Sequence, residues 1–449
     1  MSKNHTSFLI TYNKHLILFF LLVLLVIVTI NRSYFIFIHP RHNVILVMID
    51  TLRADHLPCY GYKLNTAPNL CRFAEEGIIF RNMFSQSPST KPSIASLFTS
   101  TYPTQHKVVY NNDRLNDDFV TLAEILNKNG YHTLAVNDNP VIKTKFNYNQ
   151  GFNVWHDTDL TNADIVNKTL FQELDKDQKG PYFIYVHYVD PHHPYTAPQP
   201  FYKHFNKDYD GKVNGDKPIS RDYFRDKPKE LSQLKLFYDN EIAYLDSKIA
   251  RLFDKLKQKN MYDNSIIIIT SDHGEMFMEH NNLQHSNGLY SEIINVPLII
   301  KMPYSKKKLS IDAYVQTIDI FPTLLDILDI TSENILMGNS IFSIKDKPNR
   351  IIFSEHLRLK WVNPQRSLIV GKHKLIRDLR NNKHLLYNME EDELEKENIL
   401  KINPESKSFI NQMNLFLKEI NTHYQNIKGS ITDLDKKTYD QLKSLGYIN

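Results

Sequence analysis

Asn43-Val44-Ile45-Leu46-Val47-Met48-Ile49-Asp50 decides the fold. Its near-continuous apolar run is what a strand buried on both faces requires, and such strands belong to sheets covered by helices on either side. Pro181-Tyr-Phe-Ile-Tyr-Val-His-Tyr-Val189 and Ser265-Ile-Ile-Ile-Ile-Thr270 repeat the pattern. Between them, Leu234, Phe237, Tyr238, Ile242, Leu245, Ile249, Leu252 and Leu256 recur at helical spacing and form one core-facing stripe. Strands of this type alternating with helices predict an α/β fold, a large sheet with helices on both faces.

Ligands of open α/β sheets gather beyond the carboxyl ends of the strands. All three apolar runs end in residues that bind metals: Asp50, then His187 to His193 with Asp190 between them, then Asp272-His273-Gly274-Glu275. One such acid is usually a turn residue; three together point to a site. A fourth segment, Ser87-Pro-Ser-Thr-Lys-Pro-Ser-Ile-Ala-Ser-Leu-Phe-Thr99, runs from a hydroxyl-rich loop into a helix-like stretch. Pro92 suits a first helical turn, which places Thr90 just ahead of a helix N-terminus. The unpaired N–H groups and partial positive charge there suit a tetrahedral oxyanion.

The chain has 449 residues, 42% apolar, with a net charge of +4. Its positive charges are scattered and form no basic stripe, which argues against a nucleic-acid partner. Cys59 and Cys71 read as ordinary buried thiols, with a single bridge left open. Leu16 to Ile30 is an uncharged run of fifteen residues. Extended by its apolar flanks it is long enough to span a bilayer, and no small-x-small cleavage site follows. The expectation is a cytoplasmic stub, a single membrane anchor at about 16–38 and a linker to 41, with the catalytic part on the extracytoplasmic face. A cleaved signal peptide is the alternative. The catalytic domain is expected over 42–350. A smaller subdomain with a short antiparallel sheet and a helical tail is expected over 351–449, because alternating runs begin at Arg366. Residues 195–230 read as a polar loop, either a lid or a plain surface insertion. Glu390 to Asn398 reads as a solvated charge run.

Several further segments stand in a recognisable order: Thr66-Ala-Pro-Asn-Leu70, Tyr102-Pro103 with His106, and Tyr238-Asp-Asn-Glu-Ile-Ala-Tyr-Leu-Asp246. Gly288-Leu-Tyr-Ser-Glu292 and Asp319-Ile-Phe-Pro-Thr323 follow them. With the segments above, they resemble the sulfatase-like branch of the alkaline phosphatase superfamily, over roughly residues 42 to 449. The resemblance implies that Asp50, Asp272 and His273 bind a divalent metal. It makes Thr90 the nucleophile, whose oxygen that metal also touches, and places His192 against the ester oxygens. His285, thirteen residues after Asp272, would serve the substrate or a second metal, with Asp190, His193 and Lys91 as candidates for the same zone.

The chain departs from the formylglycine sulfatase pattern at several points. Thr90 stands where the family has the Cys or Ser that becomes an aldehyde, and Ile94 where it has Arg. Thr51 replaces a second acid, His273 an amide and His285 a Lys, while Val136-Asn-Asp-Asn-Pro140 stands in place of Gly-Lys-Trp-His. His273 suits zinc or manganese better than calcium. No formylglycine is expected, and one or two metal ions are. The chemistry so implied is hydrolysis or transfer of a phosphoryl-type group through Thr90. The substrate would be a phosphate or sulfate ester, lipid- or glycan-linked. The alternatives are a sulfatase without formylglycine and a silent binding protein that keeps the fold.

Overall fold

In the computed structural model the described residues run from 41 to 445, apart from 177, 179, 218–219, 345–348 and 359–362. The expected membrane anchor lies outside them. Among the described residues no helix is long and apolar enough to cross a membrane.

The strand that opened the reading, β1 (Asn43–Ile49), lies inside an eight-stranded sheet. The other strands are β2 (Ile78–Phe84), β3 (His132–Asn137), β4 (Val154–Asp157), β5 (Tyr182–Tyr188), β6 (Ser265–Ser271), β7 (Asn295–Lys301) and β8 (Leu309–Gln316). The sheet order is β8-β2-β7-β6-β1-β5-β3-β4. Every neighbouring pair is parallel except those made by β7, which runs against both β2 and β6.

Alternation along β1 explains its sequence. Val44, Leu46 and Met48 pack on one face with Ile94, Leu97 and Phe98 of α2 (Thr90–Thr99), Leu126 of α3 (Leu122–Lys128) and Leu324 of α6 (Ile320–Ile327). Ile45, Val47 and Ile49 pack on the other with Leu70 and Phe73 of α1 (Pro68–Ala74), Leu170 of α4 (Ala163–Leu174) and Phe237 and Ile249 of α5 (Pro228–Gln258). Each such side chain adds about 2 kcal/mol of burial, so a one-residue slip of β1 would be costly on both faces.

A second sheet, β9 (Ile352–His356), β10 (Gln365–Val370), β11 (His373–Asp378) and β12 (His384–Asn388), is antiparallel in that order. Three of its strands were legible as short alternating runs; β9 was not. Ile352 and Ile369 turn towards Phe84, Leu289 and Ile293 of the large domain. Phe353, Leu368 and Leu375 pack instead against Phe409 and Met413 of α7 (Ser406–Ile420).

The structure corrects four readings. Cys59 and Cys71 are half-buried and joined in a disulfide. Glu395, inside the supposed solvated run, is buried and accepts a hydrogen bond from the equally buried Lys374 Nζ at 2.7 Å, because Lys374 faces inward on β11. The helix behind the apolar stripe starts at Pro228, so the polar 195–230 stretch ends in helix. Thr90 is the first residue of α2, with Ser89 as its cap, rather than lying ahead of it.

The disulfide closes a loop of 12 residues that joins the segment after β1 to α1. Chain-entropy arithmetic assigns such a loop about 3 kcal/mol. Replacing both cysteines by alanine is expected to lower the unfolding free energy by about that amount in a denaturant titration. An unchanged midpoint would remove the disulfide from the stabilising contacts.

Candidate active site

Parallel pairing sets the site. Ile49 is in register with Ser271 of β6 and with Tyr188 of β5. The next residue of each outer chain therefore brings Asp50 and Asp272 side by side, with His273 following and His187 one position back. Helix α2 points its first residue, Thr90, at the same spot. Asp50, Thr90, His187, Asp272 and His273 are all fully buried.

Asp50, His187 and Asp272 each offer a donor atom within 4.8 Å of the others. His273 Nε2 lies 3.8 Å from Asp50 Oδ1 and 3.5 Å from Asp272 Oδ2. Thr90 Oγ1 lies 3.2 Å from His273 Nε2 and 3.5 Å from Asp50 Oδ2. The His273 tautomer follows from its other nitrogen. Nδ1 is 2.9 Å from the Gly274 carbonyl, which can only accept, so Nδ1 carries the proton and Nε2 the lone pair. Burial, and then the charge of Asp272, push the Asp50 carboxyl well above its usual range. Among the described residues, Asp50 Oδ1, Asp272 Oδ2 and His187 Nε2 find no hydrogen-bond partner. Two buried carboxylates with unpaired oxygens are expensive unless a cation joins them. The oxygen and imidazole donors present fit a divalent metal.

Neighbouring residues hold these donors in place. Asn139 Nδ2 donates to Asp50 Oδ2, while Asn139 Oδ1 accepts from the Val141 amide at 2.9 Å. The Thr51 and His273 amides donate to Asp272 Oδ1 at 3.2 and 2.9 Å. Ser93 of α2 donates to the Asp272 carbonyl at 2.8 Å, which docks the nucleophile helix on the strand end. Helix α5 braces the first motif: Tyr238 donates to the Thr51 carbonyl at 2.8 Å and accepts from the Arg53 amide at 2.9 Å.

A second group adjoins the first. The His285 ring lies 4.5 Å from the ring of His273 and 4.9 Å from that of His192. His285 Nδ1 contacts Glu275 Oε1 at 3.2 Å, and the Tyr195 hydroxyl donates to Glu275 Oε2 at 3.1 Å. Burial drives His285 well below its usual value and His192 to about 3, so both imidazoles are neutral. His193 packs edge-on against Tyr195 at 5.3 Å.

Two predicted residues sit elsewhere. Lys91 is buried with its amine 3.1 Å from the Phe146 ring centroid, donating to the Asn111 carbonyl at 2.6 Å. Asp190 turns towards Asp138 and the start of α4, where burial and then Asp138 raise its carboxyl to about 7. The sequence reading gave no individual role to four residues here: His187, Asn139, Glu275 and Tyr195. His187 and Glu275 stood only as members of the metal-type runs at the strand ends.

Residues 42–330 match the family model described as Sulfatase. The chain belongs to the sulfatase family. Residues 279–423 also match the model described as N-sulphoglucosamine sulphohydrolase, C-terminal. Among relatives of this sulfatase-like enzyme is the uncharacterized sulfatase YidJ of Escherichia coli (strain K12), 25% identical over 419 residues, covering 80% of this chain and 83% of that one. Among solved structures, BT4656 in complex with D-glucosamine-2-N,6-O-disulfate superposes with a TM-score of 0.73 at 21% identity, covering 86% of this chain and 98% of that one. The phosphonate monoester hydrolase of Agrobacterium radiobacter gives 0.72 at 20% identity, covering 88% and 99%. The large mixed sheet between helices, with a small antiparallel sheet after it, is thus a shared architecture.

If Asn139 orients Asp50 for a metal, Asn139→Ala should weaken zinc or manganese binding about 10- to 100-fold in a chelator competition. Unchanged affinity would limit Asn139 to packing. Asp190 gives a pH test. A carboxyl held at about 7 when folded, against about 4 when unfolded, takes up a proton on folding between those pH values. It therefore costs stability as pH rises through that window. Asp190→Asn should raise Tm at pH 8 and change it little at pH 4; equal shifts at both would contradict the assignment.

Proposed function

We propose that the chain is a metal-dependent ester hydrolase that passes a phosphoryl-type group through a covalent bond to Thr90 Oγ1. The observation that carries this reading is the placement of a threonine hydroxyl, at the first residue of a helix, against Asp50 and His273. A divalent cation held by Asp50, Asp272, His273 and His187, zinc or manganese by its imidazole donors, would acidify that hydroxyl and draw charge from the ester oxygens.

Thr90 Oγ1 attacks phosphorus, the bond to the alcohol oxygen breaks, and water then cleaves the threonine ester. One proton leaves Oγ1 and one reaches the departing alcohol. His285, tied through Nδ1 to Glu275 and lying against the ring of His273, would carry it through Nε2. The N-terminus of α2 at Thr90 would favour the negative charge of the equatorial oxygens. Threonine cannot become an aldehyde, so its ester cannot be released by elimination. Release requires a second displacement, which favours phosphorus over sulfur.

Sulfate-ester hydrolysis is the second reading. It is favoured by the match of residues 279–423 to the N-sulphoglucosamine sulphohydrolase C-terminal model and by BT4656, which was solved with a disulfated glucosamine. Either reading suits a lipid- or glycan-linked ester on the extracytoplasmic face, with residues 16–38 as the tether. The disulfide between the chain's two cysteines supports an oxidising compartment.

Thr90→Ala should lower kcat by roughly three orders of magnitude or more on aryl phosphate mono- or diesters with zinc or manganese. Mass spectrometry of quenched wild-type turnover should find a modified Thr90. Turnover confined to an aryl sulfate with calcium, or full activity in Thr90→Ala, would overturn the phosphoryl-threonine reading.

A further inference from the structure

The loop that leads to Thr90 is gripped from two sides. On one side β9 docks on it: Ser354 Oγ donates to the Ser85 carbonyl at 2.6 Å and the Glu355 amide to the Gln86 carbonyl at 2.9 Å. On the other, the Ser286 amide, next to His285, donates to the Pro88 carbonyl at 3.0 Å. The end of β9 is thereby fixed beside the ester site.

Three polar residues stand on this strand pair or just beyond it. His356 is in register with Gln365 of β10, so the two share one face, the face that Ser354 turns towards the nucleophile loop. His356 is only 2% exposed, yet among the described residues its Nε2 has no hydrogen-bond partner, and neither has Gln365 Oε1. Gln365 Oε1 lies 3.7 Å from where a Cβ on Gly288 would stand, so it borders the segment carrying His285. Arg358, half-buried two residues beyond His356, donates to Asn111 Oδ1 at 3.1 Å. Burial, and then the charge of Arg358, lower the affinity of His356 for protons. The acid of this strand, Glu355, faces the opposite way and is occupied by Arg366 and the Thr104 amide.

We propose that Arg358, with His356 and Gln365, forms a subsite for a second, anionic group on the alcohol part of the ester. The guanidinium supplies the charge and a planar set of donors suited to a carboxylate or a second oxyanion. The buried imidazole and the amide supply directed hydrogen bonds that an uncharged arm would leave unmade. The substrate is then an acidic alcohol ester, such as a uronic-acid-type or multiply esterified sugar. This rests on the ester-hydrolase reading above and not on the choice between phosphorus and sulfur.

The test compares esters that differ in one carboxylate: 4-nitrophenyl and 3-carboxy-4-nitrophenyl esters, in both the phosphate and the sulfate series, with the metal-loaded enzyme. Wild type should favour the carboxylated ester by about tenfold or more in kcat/KM, through KM. Arg358→Ala should abolish that preference, and Arg358→Lys should restore part of it. His356→Ala should shift the preference in the same direction by less. Calorimetry of the metal-loaded Thr90→Ala protein with the same pairs reads the preference without turnover. No preference in either readout, or equal losses on both esters of a pair, overturns the subsite. Turnover in the sulfate series alone, with the preference intact, overturns only the phosphoryl reading.

Discussion

Two carboxylates, Asp50 and Asp272, stand side by side at the ends of neighbouring parallel strands, fully buried and each with an oxygen left unpaired among the described residues. Such a pair is repulsive and poorly solvated, and only a rigid frame with a cation between the acids makes it tolerable. The chain builds that frame in layers. Apolar residues on both faces of β1 hold the strand in register. Backbone amides of Thr51 and His273 hold Asp272, and Asn139 holds Asp50. Tyr238 of α5 and Ser93 of α2 then clamp the flanking loops.

The same frame gives Thr90 its chemical character. A threonine hydroxyl on a surface helix is inert; here it is buried, starts a helix and touches a histidine whose lone pair is aimed at it by the Gly274 carbonyl. The residue that replaces the family's arginine, Ile94, is fully buried in the core beside β1. It thus helps to seat the helix that carries the nucleophile. The motif from Tyr238 to Asp246 plays a supporting part of the same kind. Asp239 pairs with His56 at 2.7 Å, and Asp246 accepts from the Asn69 and Leu70 amides at the start of α1.

Much of the site was legible because its acids follow apolar runs and strand ends are where ligands gather. What stayed hidden was contact across the fold. His187 becomes a donor because β5 pairs with β1, with His187 opposite Met48. Asn139 reaches Asp50 from the loop after β3, and Tyr195 reaches Glu275 from a polar loop. Lys91, adjacent to the nucleophile in sequence, sits apart because a helix turns successive side chains in different directions, and this one meets Phe146.

Sequence alone determined the alternation of buried strands and helices, the acids at the strand ends and the substitution of threonine for an aldehyde-forming residue. These depend on residue type and local periodicity, which neighbouring positions set. Tertiary structure alone decided the disulfide, the burial of Lys374 with Glu395, the approach of His187 and the docking of β9 on the nucleophile loop. Each of these depends on which distant segments become neighbours. That is settled by sheet order and packing over the whole chain, not by the spacing of residues along it.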